Sequence, residues 1–282
     1  MSHVAVADVS QRLRRERTGA FARSVARSLV NTAVTLGIVL LLWQAVISLT
    51  DVSPYVAKGP ADVWRFLFVE EGAAENRAEL MELTWVTLRD AAIGFVVGMT
   101  TAMVLAVLFT LSKTVEAGVM PLALLLRSVP LVSIAPVIIL ATGRGTQASV
   151  AVIGTIVVLF PALASMLFGL SRANPESLDL VRVYGGGSWS ALRRVAMPGA
   201  LPSVFAAARV SVPGAVTGAL LAEWLSTGTG IGGMIQKFNA SARFDELWAS
   251  VAIITVITLV LYNLVQLAES VVLARMGMAD AQ

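Results

Sequence analysis

Long apolar runs separated by short polar stretches set the pattern of this chain. A helix needs roughly 20 mostly apolar residues to cross about 30 Å of hydrocarbon. Six stretches meet or approach that length: Leu29–Leu49, Ala91–Leu111, Val115–Ala141, Ser149–Leu170, Ala200–Leu225 and Leu247–Leu273. They predict an all-α integral membrane fold of about six transmembrane helices. The third run is broken by Pro121, Pro130 and Pro136. Each proline removes a backbone donor. Lipid cannot replace that donor, so broken backbone at membrane depth belongs inside protein or beside a cavity. Two readings are open for it: a pathway wall carrying Pro130 and Pro136, or a kinked packing helix. Between the first two runs, "PADVWRFLFVEEG" repeats apolar residues at helical spacing, and its Pro60 suits a first helical turn. It is too short to span, so an outer interfacial helix is expected.

Composition places the whole chain in the same class. It is 57% hydrophobic and 14% charged over 282 residues, against about 25% charged in soluble domains. A net charge of +3 is too small to suggest a nucleic-acid partner. There is no cysteine, which excludes disulfides and thiolate metal sites, and the one histidine is His3 in the N-terminal segment. Histidine general-base chemistry and His-ligated zinc are therefore not expected.

Charge layout orients the spans. Arg12, Arg14, Arg15, Arg17, Arg23 and Arg27 precede the first run. That run is longer than a signal-peptide core and lacks a clear A-x-A cleavage site, so it reads as a retained first span. The positive-inside rule then keeps the N-terminus in the cytoplasm, and six spans return the C-terminus there too. Of the 21 Lys and Arg, the larger share falls on segments placed inside, including Lys113, Arg172, Arg182, Arg193, Arg194 and Arg275. The 51–87 segment, placed outside, is acid-rich.

The region between the fourth and fifth spans, 171–199, is far longer than a helix–helix turn requires, and it lies on the predicted cytoplasmic side. "PESLDLVRVYG" reads as a short helix with Pro175 and Glu176 in its first turn and Gly185 as its stop. "SWSALRRVAMP" reads as a second, with Ser188 as N-cap and Pro198 at its end. Its apolar positions Trp189, Leu192, Val195 and Ala196 share one side, apart from Arg193 and Arg194. A helix–glycine–helix elbow displayed to the cytoplasm is a docking device for a soluble partner.

At these residues the chain resembles the permease subunits of ABC importers. Their signature here is E-A-A, three residues, G, nine residues, then I-x-L-P. Asp179 takes the Glu position, Gly185 the Gly, and "VAMP" (Val195–Pro198) the last four, at matching spacing. Leu180 and Val181 replace the two alanines, Val195 the Ile and Met197 the Leu. "TLRDAAIGFVVGM", "LLRSVPLVSIAPVIIL", "PGALPSVFAAARV" and "LLAEWLSTGTGIGGMI" are similar to the branch handling sulfonates, taurine, nitrate and pyrimidine precursors.

The resemblance implies the transmembrane subunit of a type I importer in a bacterial inner membrane. A second copy of the chain would pair with it, separate ATPase subunits would carry ATP and Mg, and an extracytoplasmic binding protein would deliver the solute. The ATPase-coupling residues would be Asp179, Gly185, Gly186, Gly187, Ser188, Trp189, Ala191, Leu192, Arg193 and Pro198. The implied division is a cytoplasmic tail (1–27), a first transmembrane helix with the outer interfacial segment (28–87), the importer core (88–276) and a C-terminal tail (277–282). The solute implied is a small sulfonate, nitrate, a pyrimidine-like compound or an aromatic or organic acid, and no cofactor is expected in this chain.

No G-x-x-x-x-G-K-[ST] occurs, so phosphate cradling by a P-loop belongs to another polypeptide and the chain itself is not expected to be an enzyme. "TGTGIGGMI" (Thr227–Ile235) has a G-x-G but follows a span rather than a strand, and reads as a flexible outer turn. Ionisable residues inside spans are functional candidates by default. For Arg209 the readings are snorkelling to inner headgroups or a gating or subunit contact. For Glu223 they are an interfacial carboxylate beside an aromatic-belt Trp224, or a pathway or dimer role. Arg127 either attracts an anionic solute or closes a helix end. The alternative function, a stand-alone secondary transporter or channel, favours inverted repeats and buried acidic relays, and neither is visible in the sequence.

Overall fold

The computed structural model describes residue 30 and residues 33–276. The Arg-rich segment 1–27, Leu29 and the 277–282 tail lie outside the described residues. Helices dominate, and there is no strand among the described residues. The described chain divides into two compact units, the first ending at Trp64 and the second beginning at Arg65.

In the first unit, α1 (Ala33–Leu49) is a short apolar helix. It ends with the Thr50 hydroxyl donating to the Val46 carbonyl at 2.9 Å. The start of α2 (Pro60–Phe68) follows, where Asp62 Oδ2 accepts from the Gly59 N–H at 2.9 Å. Proline at the first position and an acid in the first turn are what a helix N-terminus favours.

The second unit holds α3 (Ala73–Leu111), α4 (Lys113–Ser128), α5 (Leu131–Thr142), α6 (Gln147–Ser171), α7 (Pro175–Val183), α8 (Ser188–Ala191), α9 (Met197–Gly199), α10 (Leu201–Ala222), α11 (Gly230–Ala240) and α12 (Phe244–Arg275). Two wide π turns, Leu192–Ala196 and Glu223–Thr227, join α8 to α9 and extend α10. Among the described residues, four helices are long and apolar enough to cross a membrane: α3, α6, α10 with its π extension, and α12.

The core is α3, α6 and α10 packed side by side, and it is built from small residues. On α3 the buried positions include Ala91, Gly94, Gly98, Ala102 and Ala106, three or four residues apart. Lipid is as apolar as leucine, so burial of apolar area cannot hold these helices together. Close backbone approach and dispersion must do so, and only small side chains permit it. At one close crossing Gly94, Gly154 and Gly218 meet. A Cβ built on Gly154 would lie 2.7 Å from the Gly94 Cα, and one on Gly218 would lie 3.0 Å from the Gly154 Cα. Large apolar residues instead face outward, as Val251, Val256, Val260 and Leu264 do on α12.

Two expected spans differ from what is observed. The second begins 18 residues before Ala91, because α3 runs unbroken for 39 residues from Ala73. Its first turns are rich in Glu, Ala, Arg and Leu, which are strong helix formers needing no lipid. The third divides in two. Pro130, with φ −57° and ψ 123°, sits between α4 and α5, so neither piece has a span's length. Pro121 and Pro136 remain inside helices.

Candidate functional site: the elbow between α6 and α10

The segment after α6 is shaped by local chemistry. The Asn174 side chain caps α7, its Oδ1 accepting from the Glu176 N–H at 2.9 Å, with Pro175 at the first position. Asp179 and Arg182, one turn apart, pair at 2.9 Å while both stay exposed. Tyr184 closes the helix. Gly185 then adopts φ +79°, and the next N–H, from Gly186, reaches back to the Val181 carbonyl at 2.8 Å. This is the left-handed stop that glycine supplies without strain. Gly186 must also lack a side chain, since a Cβ there would lie 2.8 Å from the same carbonyl.

The second arm differs from expectation at both ends. Gly187, in extended conformation, is the N-cap, and Ser188 is the first helical residue. Pro198 does not end the helix: the path continues through the π turn and α9, past Gly199 and Ala200, into α10. The wide turn explains this, because it replaces the usual i→i−4 ladder just ahead of the proline, with the Met197 N–H reaching the Leu192 carbonyl. The expected apolar side also divides. Ala191, Leu192 and Ala196 are buried, and Leu192 and Ala196 join the core with Met166, Leu170 and Ala200. Trp189 instead stands 56% exposed.

The elbow therefore has a fixed base and a bare tip. Leu180, Val183, Tyr184 and Trp189 are 58%, 83%, 84% and 56% exposed. Arg193 and Arg194 are exposed beside them.

The intramembrane candidates are not brought together. Arg127 is exposed in the last turn of α4, and Pro136 is exposed on α5. Arg209 on α10 pairs at 3.1 Å with Glu269 on α12, and the two side chains are 28% and 5% exposed. No residue near Arg209 in the sequence points to this partner. An acid inside the last apolar run was the available signal.

Glu223 lies at the opposite end of the bundle from the elbow and is fully buried. Its Oε2 accepts from the Thr87 hydroxyl at 2.9 Å and from the Gly232 N–H at 2.8 Å, and the Ile231 N–H donates to Thr87 Oγ1 at 2.9 Å. Asp90, also buried, pairs with Arg89 at 3.3 Å. Ser149 and Ser226 hydroxyls meet at 2.8 Å nearby in the chain fold. The stretch Thr227–Ile235 is thus not all turn: from Gly230 it is helical, and Gly230 opens α11 against Glu223. Among the described residues no group of three or more His, Cys, Asp or Glu could hold a metal ion.

A bundle glued by small residues, with apolar helices of membrane length and an elbow seated on its core, is a helical membrane protein. The chain belongs to the family of binding-protein-dependent transport system inner membrane components, whose sequence model matches residues 94–277. It is 29% identical over 235 residues to a probable ABC transporter permease protein of Haemophilus influenzae, covering 83% of this chain and 93% of that one. A riboflavin transport system permease of Chloroflexus aurantiacus is 27% identical, with 84% and 86% covered. A putative aliphatic sulfonates transport permease of Bacillus subtilis is 24% identical, with 82% of each covered. The fold is shared with a crystal structure of an amino acid ABC transporter with histidines, at a TM-score of 0.56 and 16% identity, covering 70% of this chain and 95% of that one.

Proposed function

We propose that this chain is the membrane-spanning subunit of an ATP-driven importer and that the 171–199 elbow couples it to a separate ATPase. The observation that carries this reading is the bare apolar tip of Leu180, Val183, Tyr184 and Trp189 on a base fixed in the core. Large apolar side chains exposed on a polar loop mark a protein contact, and a fixed base passes a push on the tip directly into α10. In this reading six segments span the bacterial inner membrane, with the elbow and both termini in the cytoplasm. Two copies enclose the path, and a binding protein meets the outer face. The relatives' names support a small sulfonate, nitrate or pyrimidine-like solute, and an aromatic or other organic acid belongs to the same proposal.

The test is affinity capture from membranes in mild detergent, with mass spectrometry of what co-purifies. An ATPase subunit in equal amount is expected, and it should be lost when Leu180, Val183, Tyr184 and Trp189 are changed to serine. A chain that purifies alone and moves solute without ATP would instead be a stand-alone secondary transporter. A finer prediction concerns the hinge. Gly185→Pro cannot keep φ +79°, and it should uncouple ATP hydrolysis from uptake while leaving the protein inserted. Arg193→Glu should do the same through charge. Solute-stimulated ATPase activity at the parent level in both variants would remove the elbow from the coupling path.

A further inference from the structure

Resting on that transport reading, we propose that α11 is a lid at the outer end of the bundle and that Glu223 and Thr87 are its latch. The hinges come first. α11 is bracketed by left-handed residues: Gly228 at φ +68° before it, Gly230 at φ +63° as its first residue, and Ala242 at φ +54° after it. Ala242 is the one non-glycine residue with positive φ among the described residues. An alanine held there is a local strain that the surrounding structure must maintain. Movable segments take up their motion at a few such terminal positions.

The fastening is polar. At the N-terminal end of α11, the Gly232 N–H and the Thr87 hydroxyl both donate to Glu223 Oε2, and the Ile231 N–H donates to Thr87. These bonds tie α11 to α10's π extension and to α3. The backbone is drawn in so closely that Gly230 could carry no Cβ without striking the Glu223 carboxylate, and Gly232 none without striking Leu220. The join is incompletely satisfied. Glu223 Oε1 is buried and has no hydrogen-bond partner. A buried carboxylate with one oxygen unpaired makes the closed state worse than a fully bonded one would be. The latch therefore holds by a few directional bonds and stays releasable.

There is also room for movement. Beside α11 lies a recess of about 330 Å3 that reaches Gly232 itself and is lined by Thr217, Leu220, Trp224, Ile235, Asn239 and Leu247. A helix packed tightly on all sides cannot swing, whereas one with a recess beside it and hinges at both ends can. Ile231 and Phe238, fully buried, supply the apolar seal in the closed position.

The natural chain has no cysteine, so the lid can be tied without background. The test co-expresses the chain with its ATPase subunits and introduces Thr87→Cys with Ile231→Cys. Oxidation should stop ATP-driven uptake, and reductant should restore it to the rate of the unoxidised pair. A cross-linked protein that imports as fast as the reduced one would overturn the lid. A second measurement leaves the latch untouched: spin labels at Glu75→Cys and Gln236→Cys, both exposed positions, read the distance from α3 to α11. It should shift between the nucleotide-free and ATP-trapped complexes, and an unchanged distribution would overturn the proposal. The spin-label reading needs only the assembled complex. A distance shift without ATP-driven uptake by the parent would therefore sink the importer reading and leave the moving helix standing.

Discussion

Gly154→Leu is expected to yield almost no folded protein. The Gly154 Cβ position is 2.7 Å from the Gly94 Cα, and Gly218 approaches the Gly154 Cα from a third helix. The obstacles are backbone atoms, which cannot turn aside as a flexible side chain can. Overpacking a core costs typically about 1–3 kcal/mol when neighbours yield. Here α3, α6 and α10 would have to separate along their length, losing dispersion contacts that lipid does not return, so a loss of about 3 kcal/mol or more is expected. Fluorescence-detected size exclusion of the tagged chain should show aggregate in place of a monodisperse peak. Gly154→Ala should lower the melting temperature less, and Val256→Leu on the exposed face of α12 should leave it unchanged. A Gly154→Leu protein with the parent's peak and melting temperature would disprove the close-packed account of the core.

That triple contact also shows what a single sequence can and cannot carry. The apolar lengths placed α6 and α12 to within a few residues, because span length is set by the bilayer and is written locally. The elbow was legible for the same reason: Pro175, Gly185 and the glycines after it act on their own backbone. What escaped was pairing. Glu223 meets Thr87 across 136 positions, and neither residue announces the other. Glu269 lies in a run whose apolar length marks a span and says nothing of its partner. The 39-residue extent of α3 was missed because its outer turns are polar and a hydropathy reading stops where the apolar run does. The end of the second arm is not legible from Pro198, which ends an ordinary helix, because a π turn lets the path continue through it.

The Arg209–Glu269 pair is expected to be the costliest polar contact to break on one side. Removing one partner of a buried ion pair leaves the other charge uncompensated and costs about 3–5 kcal/mol. Arg209 keeps partial access to solvent, so Glu269→Leu should fall nearer about 2–3 kcal/mol, since the stranded guanidinium can turn toward headgroups. Arg209→Leu should cost more, because the carboxylate left behind is almost wholly buried. The double variant Arg209→Leu/Glu269→Leu should recover most of the loss, as two matched apolar groups replace two charges. Thermal inactivation in detergent measures all four proteins in one cycle. Strict additivity of the two single losses would mean that the pair contributes nothing as a pair. Coupling beyond that links structure to transport. Arg209 lies on the helix that continues from the elbow through the π turn and α9, and Glu269 anchors it to α12. In the proposed coupling, a push on the bare tip of Tyr184 and Trp189 is shared by two long helices. Either single variant should therefore lower ATP-driven uptake more than it lowers binding of the ATPase subunit.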